Sequence, residues 1–257
     1  MSIQTTKQNG ILTIEFNRLE RKNAITGAMY TTMAEALLDA EQDPAVRAVL
    51  IAGKPEIFTA GNDLDDFLNN AGEGAMTEER PVFRFMRALE GCTKPIVAAV
   101  AGAAVGIGTT LLMHCDLVYC ADNAKFSMPF TQLGLCPEFA SSLLVAQSAG
   151  YTRAAEKLML GEAFLAQEAL EMGIVARVLP AAELLPFAQA QAAKLVALPA
   201  ASIRATKALM KRPRAALVAD AIAVESKQFS AMLAGGEAKE AFTAFFQKRK
   251  PDFSKFD

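Results

Sequence analysis

The sequence predicts an α/β fold, in which short buried strands alternate with helices and a helical region follows at the C-terminal end. Residues 46–52 and 95–101 are short, nearly continuous apolar runs, which are typical of strands covered on both faces. From Ala181 onward the chain is rich in Ala, Leu, Lys, Glu and Gln, which favours successive helices. We therefore predict a core over residues 1–180 and a helical region over residues 181–257.

The first predicted elements follow from two different periodicities. Residues 1–10 are polar, whereas residues 11–17 alternate apolar and polar side chains, which predicts that a half-buried strand begins the fold. Apolar residues then recur at helical spacing between Gly27 and Asp43, which predicts an amphipathic helix. Residues 116–121 resemble the buried strands, so most strands are expected to pair in parallel.

Breaks in the pattern divide the rest of the chain. Pro199, Pro213 and the Gly235-Gly236 pair separate the predicted C-terminal helices, the last of which covers residues 237–248. Residues 68–77 contain two asparagines and two glycines, so we expect them to form a mobile loop.

Composition and charge disfavour several classes of protein. A net charge of -2 provides no field that would attract a nucleic acid. No segment approaches the ~20 apolar residues that cross a bilayer, so no membrane association is expected. The four cysteines show no CxxC spacing, and the single histidine, His114, has no partner at metal or triad spacing. We therefore expect a cytoplasmic protein with reduced thiols and no metal.

Two glycine-containing turns each lie between a predicted strand and a predicted helix. Residues 58–64 surround Asn62, and residues 101–110 surround Ile107. Free N–H groups at such positions suit an oxygen that becomes anionic. Each turn also fits a simpler interpretation, namely a helix cap at Asn62 or Asp63 in the first and close helix–strand packing in the second.

The two turns belong to a longer series of segments that resembles the crotonase (enoyl-CoA hydratase/isomerase) family. The series includes the first turn, Lys-Pro-Ile-Val-Ala-Ala-Val-Ala-Gly at residues 94–102, Gly-Ile-Gly at residues 106–108 and the Cys115-Asp116 pair. The resemblance extends over about residues 11–178. It implies a crotonase-like core of repeated ββα units, an acyl-CoA thioester as substrate and a homotrimer or dimer of trimers.

The resemblance also assigns residues to a site. It implies that the N–H groups of Asn62 and Ile107 form an oxyanion hole for the thioester oxygen, each donor being worth roughly 10²–10³ in rate. Arg18, Lys22 and residues 248–250 are candidates for contacts with the CoA phosphates. The residues that it assigns to substrate binding are Lys22, Ala24, Ala60, Gly61, Asp63, Leu64, Gly106 and Phe130.

The expected reaction depends on which carboxylates are present. Hydratases of the family hold a water between two glutamates, and those places are here Thr110 and Phe130, neither of which can act as an acid or base. Glu138 instead occupies the place of the single base in the Δ3-Δ2 enoyl-CoA isomerase branch. We therefore expect Glu138 to transfer a proton from C2 to C4 of a fatty acyl-CoA, as in fatty acid β-oxidation, without a cofactor.

Other functions remain open at this point. Hydration or another enolate reaction on the same scaffold is the alternative among enzymes, and product analysis with 3-enoyl and 2-enoyl thioesters separates them. A noncatalytic acyl-CoA-binding module is the alternative of another class, and it would show binding without turnover. From the residues alone, Glu138 also fits an ordinary acid at a helix N-terminus.

Overall fold

Two mostly parallel sheets form the centre of the protein in the computed structural model, which describes residues 1–69 and 80–256. The strands are β1 (Ile3–Gln8), β2 (Ile11–Phe16), β3 (Ala48–Ala52), β4 (Ile57–Thr59), β5 (Ile96–Val100), β6 (Ala103–Val105), β7 (Leu117–Ala121), β8 (Lys125–Ser127), β9 (Phe164–Leu165) and β10 (Arg177–Leu179). The larger sheet has the order β1-β2-β3-β5-β7-β10, and the smaller has the order β4-β6-β8-β9. Among the described strands, the pairs β1-β2 and β8-β9 are antiparallel and the other pairs are parallel, which confirms the predicted pairing.

Helices cover these sheets and make up the C-terminal region. They are α1 (Gly27–Gln42), α2 (Leu64–Asn69), α3 (Pro81–Glu90), α4 (Ile107–Thr110), α5 (Ser141–Ala149), α6 (Tyr151–Leu160), α7 (Ala166–Glu171), α8 (Ala181–Ala197), α9 (Ala200–Lys211), α10 (Ala215–Leu233) and α11 (Gly236–Phe246). The predicted breaks fall between α8, α9, α10 and α11, and the α/β fold with a helical C-terminal region is confirmed. None of the helices in the described ranges is long and apolar enough to cross a membrane.

The division of the chain at residue 180 stays a prediction. Helix α8 does begin at Ala181. Its buried residues Leu184, Ala188 and Ala192 nevertheless pack in one apolar cluster with residues of β3, β5 and β7. The first C-terminal helix is therefore packed directly against the larger sheet.

The expected beginning of the fold is wrong, because strand β1 precedes residue 11. Of its side chains only Ile3 is buried, so the strand has none of the alternation that reveals a half-buried strand. Its backbone pairs with β2 along its whole length. The two strands are joined at Asn9 and Gly10, a dipeptide favoured in tight hairpins.

The segment expected to form a mobile loop, residues 68–77, is only partly described. Leu68 and Asn69 belong to the end of α2 rather than to a loop. The remaining part of the predicted loop lies outside the described residues.

The smaller sheet determines where the two glycine turns lie. Strands β4 and β6 pair in parallel, with Thr59 opposite Ala104. The carboxyl ends of parallel neighbours meet at the same edge of a sheet, and each of these strands leads directly into one glycine turn. The turns around Asn62 and Ile107 are therefore adjacent in space although they are far apart in the chain.

Candidate active site

The first turn is shaped by Gly61, whose φ is 85°. A β-carbon at this position would lie 2.8 Å from the carbonyl oxygen of Val105, so the first turn is in close contact with the strand end that precedes the second. The residues on either side of Asn62 both hydrogen-bond to the backbone of Ile25. The Ile25 N–H donates to the Gly61 oxygen at 2.8 Å, and the Ile25 oxygen accepts from the Asp63 N–H at 2.9 Å. The Asn62 amide itself lies between these two bonds.

The second turn depends on Gly106, which has φ 55° and ψ -120°, a conformation that is costly for any residue with a side chain. Gly106 donates to the Ser127 oxygen at 2.9 Å, and α4 starts at the next residue, Ile107. The first amides of a helix have no partner within the helix. Neither the Asn62 N–H nor the Ile107 N–H donates to any other described residue, so both are available to a ligand oxygen.

A single cavity of about 1080 Å³ brings the assigned binding residues together. Asn62 and Ile107 both line it. Phe242, Phe245 and Phe246 of α11 line the same cavity, which gives it a largely apolar wall from the C-terminal region. Every residue assigned to substrate binding also contributes to the lining, namely Lys22, Ala24, Ala60, Gly61, Asp63, Leu64, Gly106 and Phe130.

The basic candidates differ in their availability to an anionic ligand. Arg18 is not part of the described cavity lining, and its guanidinium donates to Asp63 at 2.7 Å. Burial tends to raise the pKa of Asp63, but the hydrogen bonds from Arg18 and the Asp66 N–H, together with the charges of Arg18 and Arg21, lower it below its usual value. Lys22 and Arg249 do line the cavity, although Arg249 is held by both carboxylate oxygens of Glu240, at 2.5 and 2.9 Å. Arg18 therefore serves the fold of the loop, and Lys22 is the better candidate for a phosphate contact.

The simpler interpretation of the first turn is also correct in part. The Asp63 carboxylate accepts a hydrogen bond from the Asp66 N–H at 3.2 Å, near the start of α2. This is the contact of a helix cap. The turn thus combines a cap at Asp63 with a free amide at Asn62.

Glu138 is a buried carboxyl, 9% exposed, that lies outside the described lining of the cavity. One of its oxygens accepts a bond from the Thr110 hydroxyl at 2.5 Å, and the other is buried without a partner among the described residues. Burial raises the pKa of Glu138 to about 8, with the Thr110 bond opposing and the charge of Glu225 reinforcing the rise. Thr110 is one helical turn beyond Ile107 in α4, so this carboxyl lies next to the helix that carries the second amide.

The two residues after Glu138 have an unusual backbone. Phe139 and Ala140 have φ values of 58° and 59°, in the left-handed region that non-glycine residues seldom occupy. The His114 ring stacks on Phe139, with centroids 3.7 Å apart, and its Nε2 lies 2.8 Å from the Phe139 oxygen. Burial lowers the pKa of His114 to about 3, so the ring is neutral. Since a carbonyl oxygen can only accept, Nε2 carries the ring hydrogen and donates to it.

Tyr30 connects the two parts of the site and was missed by the sequence analysis. It is buried in α1, and its hydroxyl donates to the Asn62 side-chain oxygen at 2.5 Å. Burial, and next the charge of Glu138, raise the pKa of Tyr30 well above its usual value. Its position on the apolar face of a helix gave no signal of this role, since core tyrosines share that pattern.

Two unpaired amides at an apolar cavity, with a buried carboxyl bonded to α4, are an arrangement suited to hold a carbonyl oxygen while a proton is moved nearby. Comparison with known proteins specifies the family. The family model described as Enoyl-CoA hydratase/isomerase matches residues 6–255. The chain belongs to this family, the crotonases, and is an enzyme that acts on acyl-CoA thioesters.

Relatives of this chain carry both hydratase and isomerase names. The 2,3-dehydroadipyl-CoA hydratase of Escherichia coli is 29% identical, over 96% of both chains. Enoyl-CoA delta isomerase 2 of Rattus norvegicus is 37% identical, over 82% of this chain and 54% of the relative's. Among solved structures, an enoyl-CoA hydratase/isomerase from Pseudoalteromonas atlantica is 38% identical with a TM-score of 0.93, covering 99% of this chain and 100% of that one. These names leave the particular reaction open.

Proposed function

We propose that the protein is a Δ3-Δ2 enoyl-CoA isomerase in which Glu138 is the single acid–base group. The observation that carries the proposal is the buried Glu138 carboxyl, with one oxygen bonded to Thr110 and the other unpartnered among the described residues. An unpartnered buried carboxylate oxygen beside an enolate site is suited to accept a proton. A pKa of about 8 makes Glu138 a stronger base than an ordinary carboxylate and a competent acid near neutral pH.

The reaction proceeds in two proton transfers. The thioester oxygen accepts from the N–H groups of Asn62 and Ile107, and the ionised Glu138 removes a proton from C2 of a 3-enoyl thioester. In the first transfer the C2–H electrons form a C1–C2 double bond and the carbonyl electrons move onto the thioester oxygen. In the second the C=O bond re-forms, the C1–C2 electrons become the new C2–C3 double bond, and the old C3–C4 electrons take up at C4 the proton that Glu138 returns. The intermediate dienolate carries its charge on the thioester oxygen, where the two amides stabilise it. Protein side chains and backbone supply all these steps, so no cofactor is required.

Hydration is disfavoured by the side chains around the carboxyl. A hydratase of this family needs two glutamates that hold a water, and Thr110 and Phe130 stand at those places. Thr110 points its hydroxyl at Glu138, and Phe130 is buried in the cavity wall. Neither residue therefore supplies the second carboxyl that hydration needs.

We also propose that the protein acts as a homotrimer or dimer of trimers in the cytoplasm. Large apolar side chains on α9 and α10 are exposed in the single chain, for example Met210 at 74% and Val224 at 61%. Exposed apolar surface of this kind favours association of subunits. Sedimentation of the purified protein measures the assembly directly, and a monomer would contradict it.

The proposal is tested by assaying the wild-type protein with 3-enoyl-CoA and 2-enoyl-CoA substrates in parallel, beside Glu138→Gln. We expect isomerisation to exceed hydration in the wild type, and Glu138→Gln to lose roughly 10²–10⁴ of isomerase turnover. Glu156→Gln, which changes a carboxylate with a side chain 56% exposed, is the matched control and should retain full activity. Predominant hydration by the wild type, or near wild-type isomerisation by Glu138→Gln, would overturn the proposal.

A further inference from the structure

Helix α10 contains a buried carboxylate that the mechanism does not use. Glu225 is only 7% exposed, and it lies on the inward face of α10 that also carries the buried residues Val218 and Phe229. Placing a carboxylate on an apolar face is costly unless specific donors surround it. The contacts of Glu225 therefore indicate its purpose.

Within the described residues, the hydrogen bonds to the Glu225 carboxylate all come from the turn that follows Glu138. Its carboxylate accepts from the Ala140 N–H at 2.5 Å, the Ser142 N–H at 3.0 Å and the Ser142 hydroxyl at 2.5 Å. Helix α5 begins at Ser141, and its N-cap residue, Ala140, has no side chain that can accept from the free amides. Glu225 supplies the missing cap from another helix, and its negative charge suits a helix N-terminus.

The capped turn also carries the base. Glu138 directly precedes the left-handed residues Phe139 and Ala140, and such a backbone persists only where its surroundings hold it. His114 holds the Phe139 oxygen, and Glu225 holds the Ala140 N–H. The direction of the Glu138 side chain therefore depends on one contact from the core and one from the C-terminal helices.

We propose that Glu225 is a positioning residue for the isomerase reaction. By capping the turn that links Glu138 to α5, Glu225 fixes the Glu138 carboxyl against Thr110. This inference rests on the proposed function of Glu138. Glu225 also places a negative charge near Glu138. Burial is the larger cause of the raised pKa of Glu138, and this charge raises it further. Of the other groups in the described ranges, the Thr110 hydroxyl on α4 donates to Glu138, and Tyr30 on α1 is near enough for the charge of Glu138 to raise its pKa; both side chains are uncharged.

The test is the variant Glu225→Gln, which keeps the shape of the side chain but removes its charge and one of its two accepting oxygens. The steady-state constants for a 3-enoyl-CoA are measured across pH. We expect kcat to fall by about tenfold to 10²-fold with KM nearly unchanged, since a misplacement of about 1 Å in a catalytic group has effects of this size. The acid limb of the pH profile moves to lower pH, because removing a neighbouring negative charge lowers the pKa of Glu138. Asp220→Asn, an exposed carboxylate on the same helix, is the matched control and should change neither quantity.

Two further variants separate the possible outcomes. In Glu138→Gln/Glu225→Gln, the second change should have no additional effect on turnover, because Glu225 acts through Glu138. If Glu225→Gln fails to fold, Ser142→Ala removes one bond while leaving the charge, and it should lower kcat a few-fold without moving the pH profile. An unchanged kcat and pH profile in the folded variants, with only a lower melting temperature, would reduce Glu225 to a structural cap. A wild type without isomerase activity would instead refute the proposed function.

Discussion

The proposed oxyanion hole and the turn that carries Glu138, the proposed base, are built in opposite ways. The hole consists of backbone amides, placed by two glycine turns that are local in the sequence. The Glu138 turn is held by side chains from α4 and α10, together with His114. We therefore expect the hole to be sensitive to changes of backbone conformation and insensitive to many side-chain substitutions. The position of Glu138 depends instead on particular side chains that are distant in the sequence.

Among the substitutions that test this comparison, the largest effect is expected from Gly61→Ala, which tests the backbone half. The added β-carbon would lie 2.8 Å from the Val105 oxygen, at a φ of 85° that alanine seldom adopts. We expect a loss of roughly 10²–10³ in kcat/KM, as for the loss of one oxyanion donor, together with a lower melting temperature. Gly27→Ala is the control, because its β-carbon would come no closer than 3.6 Å to another residue. Activity above a tenth of the wild-type value would show that the close approach of the two turns is not required.

A smaller effect is expected from Thr110→Val, which tests the side-chain half. Valine has nearly the same shape but cannot donate to Glu138, so the ionised carboxylate loses a hydrogen bond and its pKa rises. Since the ionised form is the base, isomerase kcat/KM at pH ~7 should fall by about tenfold and recover in part at higher pH. Thr131→Val, which removes an exposed hydroxyl, should leave the profile in place. An acid limb that stays at the wild-type pH in Thr110→Val would contradict the role assigned to Thr110.

The smallest effect is expected from Tyr30→Phe, which tests the connection between the two regions. The change removes the hydroxyl that donates to the Asn62 side chain while keeping the ring in the core. We expect kcat to fall about threefold to tenfold at every pH, since the Asn62 turn loses one neutral hydrogen bond of about 1 kcal/mol. A loss that appeared only at low pH would place the effect on Glu138 rather than on the hole.

The sequence predicts the two glycine turns better than the Glu138 turn, because the glycine turns are local in the sequence and the Glu138 turn depends on distant residues. A glycine between a strand and a helix is a local signal, and the two turns at residues 58–64 and 101–110 follow neighbouring strands as expected. The cavity that unites the assigned residues could be anticipated only through the family resemblance, because its walls come from α11 as well as from the core.

The surroundings of Glu138 could not be predicted, because they depend on contacts between distant segments. Glu225 follows Glu138 by 87 positions, and a carboxylate in a predicted helix gives no indication of what it caps. A weak signal exists nonetheless, since Glu225 interrupts the apolar face formed by Val218 and Phe229. Strand β1 was missed for a similar reason, because its stability depends on backbone pairing with β2 rather than on its side chains.

The central claim, that the buried Glu138 carboxyl is the base, is tested most directly by the pH dependence of kcat/KM for isomerisation of a 3-enoyl-CoA. The base must be ionised, and burial raises its pKa to about 8, so kcat/KM should rise with pH through that value and then level off. In Glu138→Gln the residual activity should show no such limb. A flat wild-type profile between about pH 6 and about pH 9, or the same limb retained in Glu138→Gln, would contradict the assignment of Glu138 as the base.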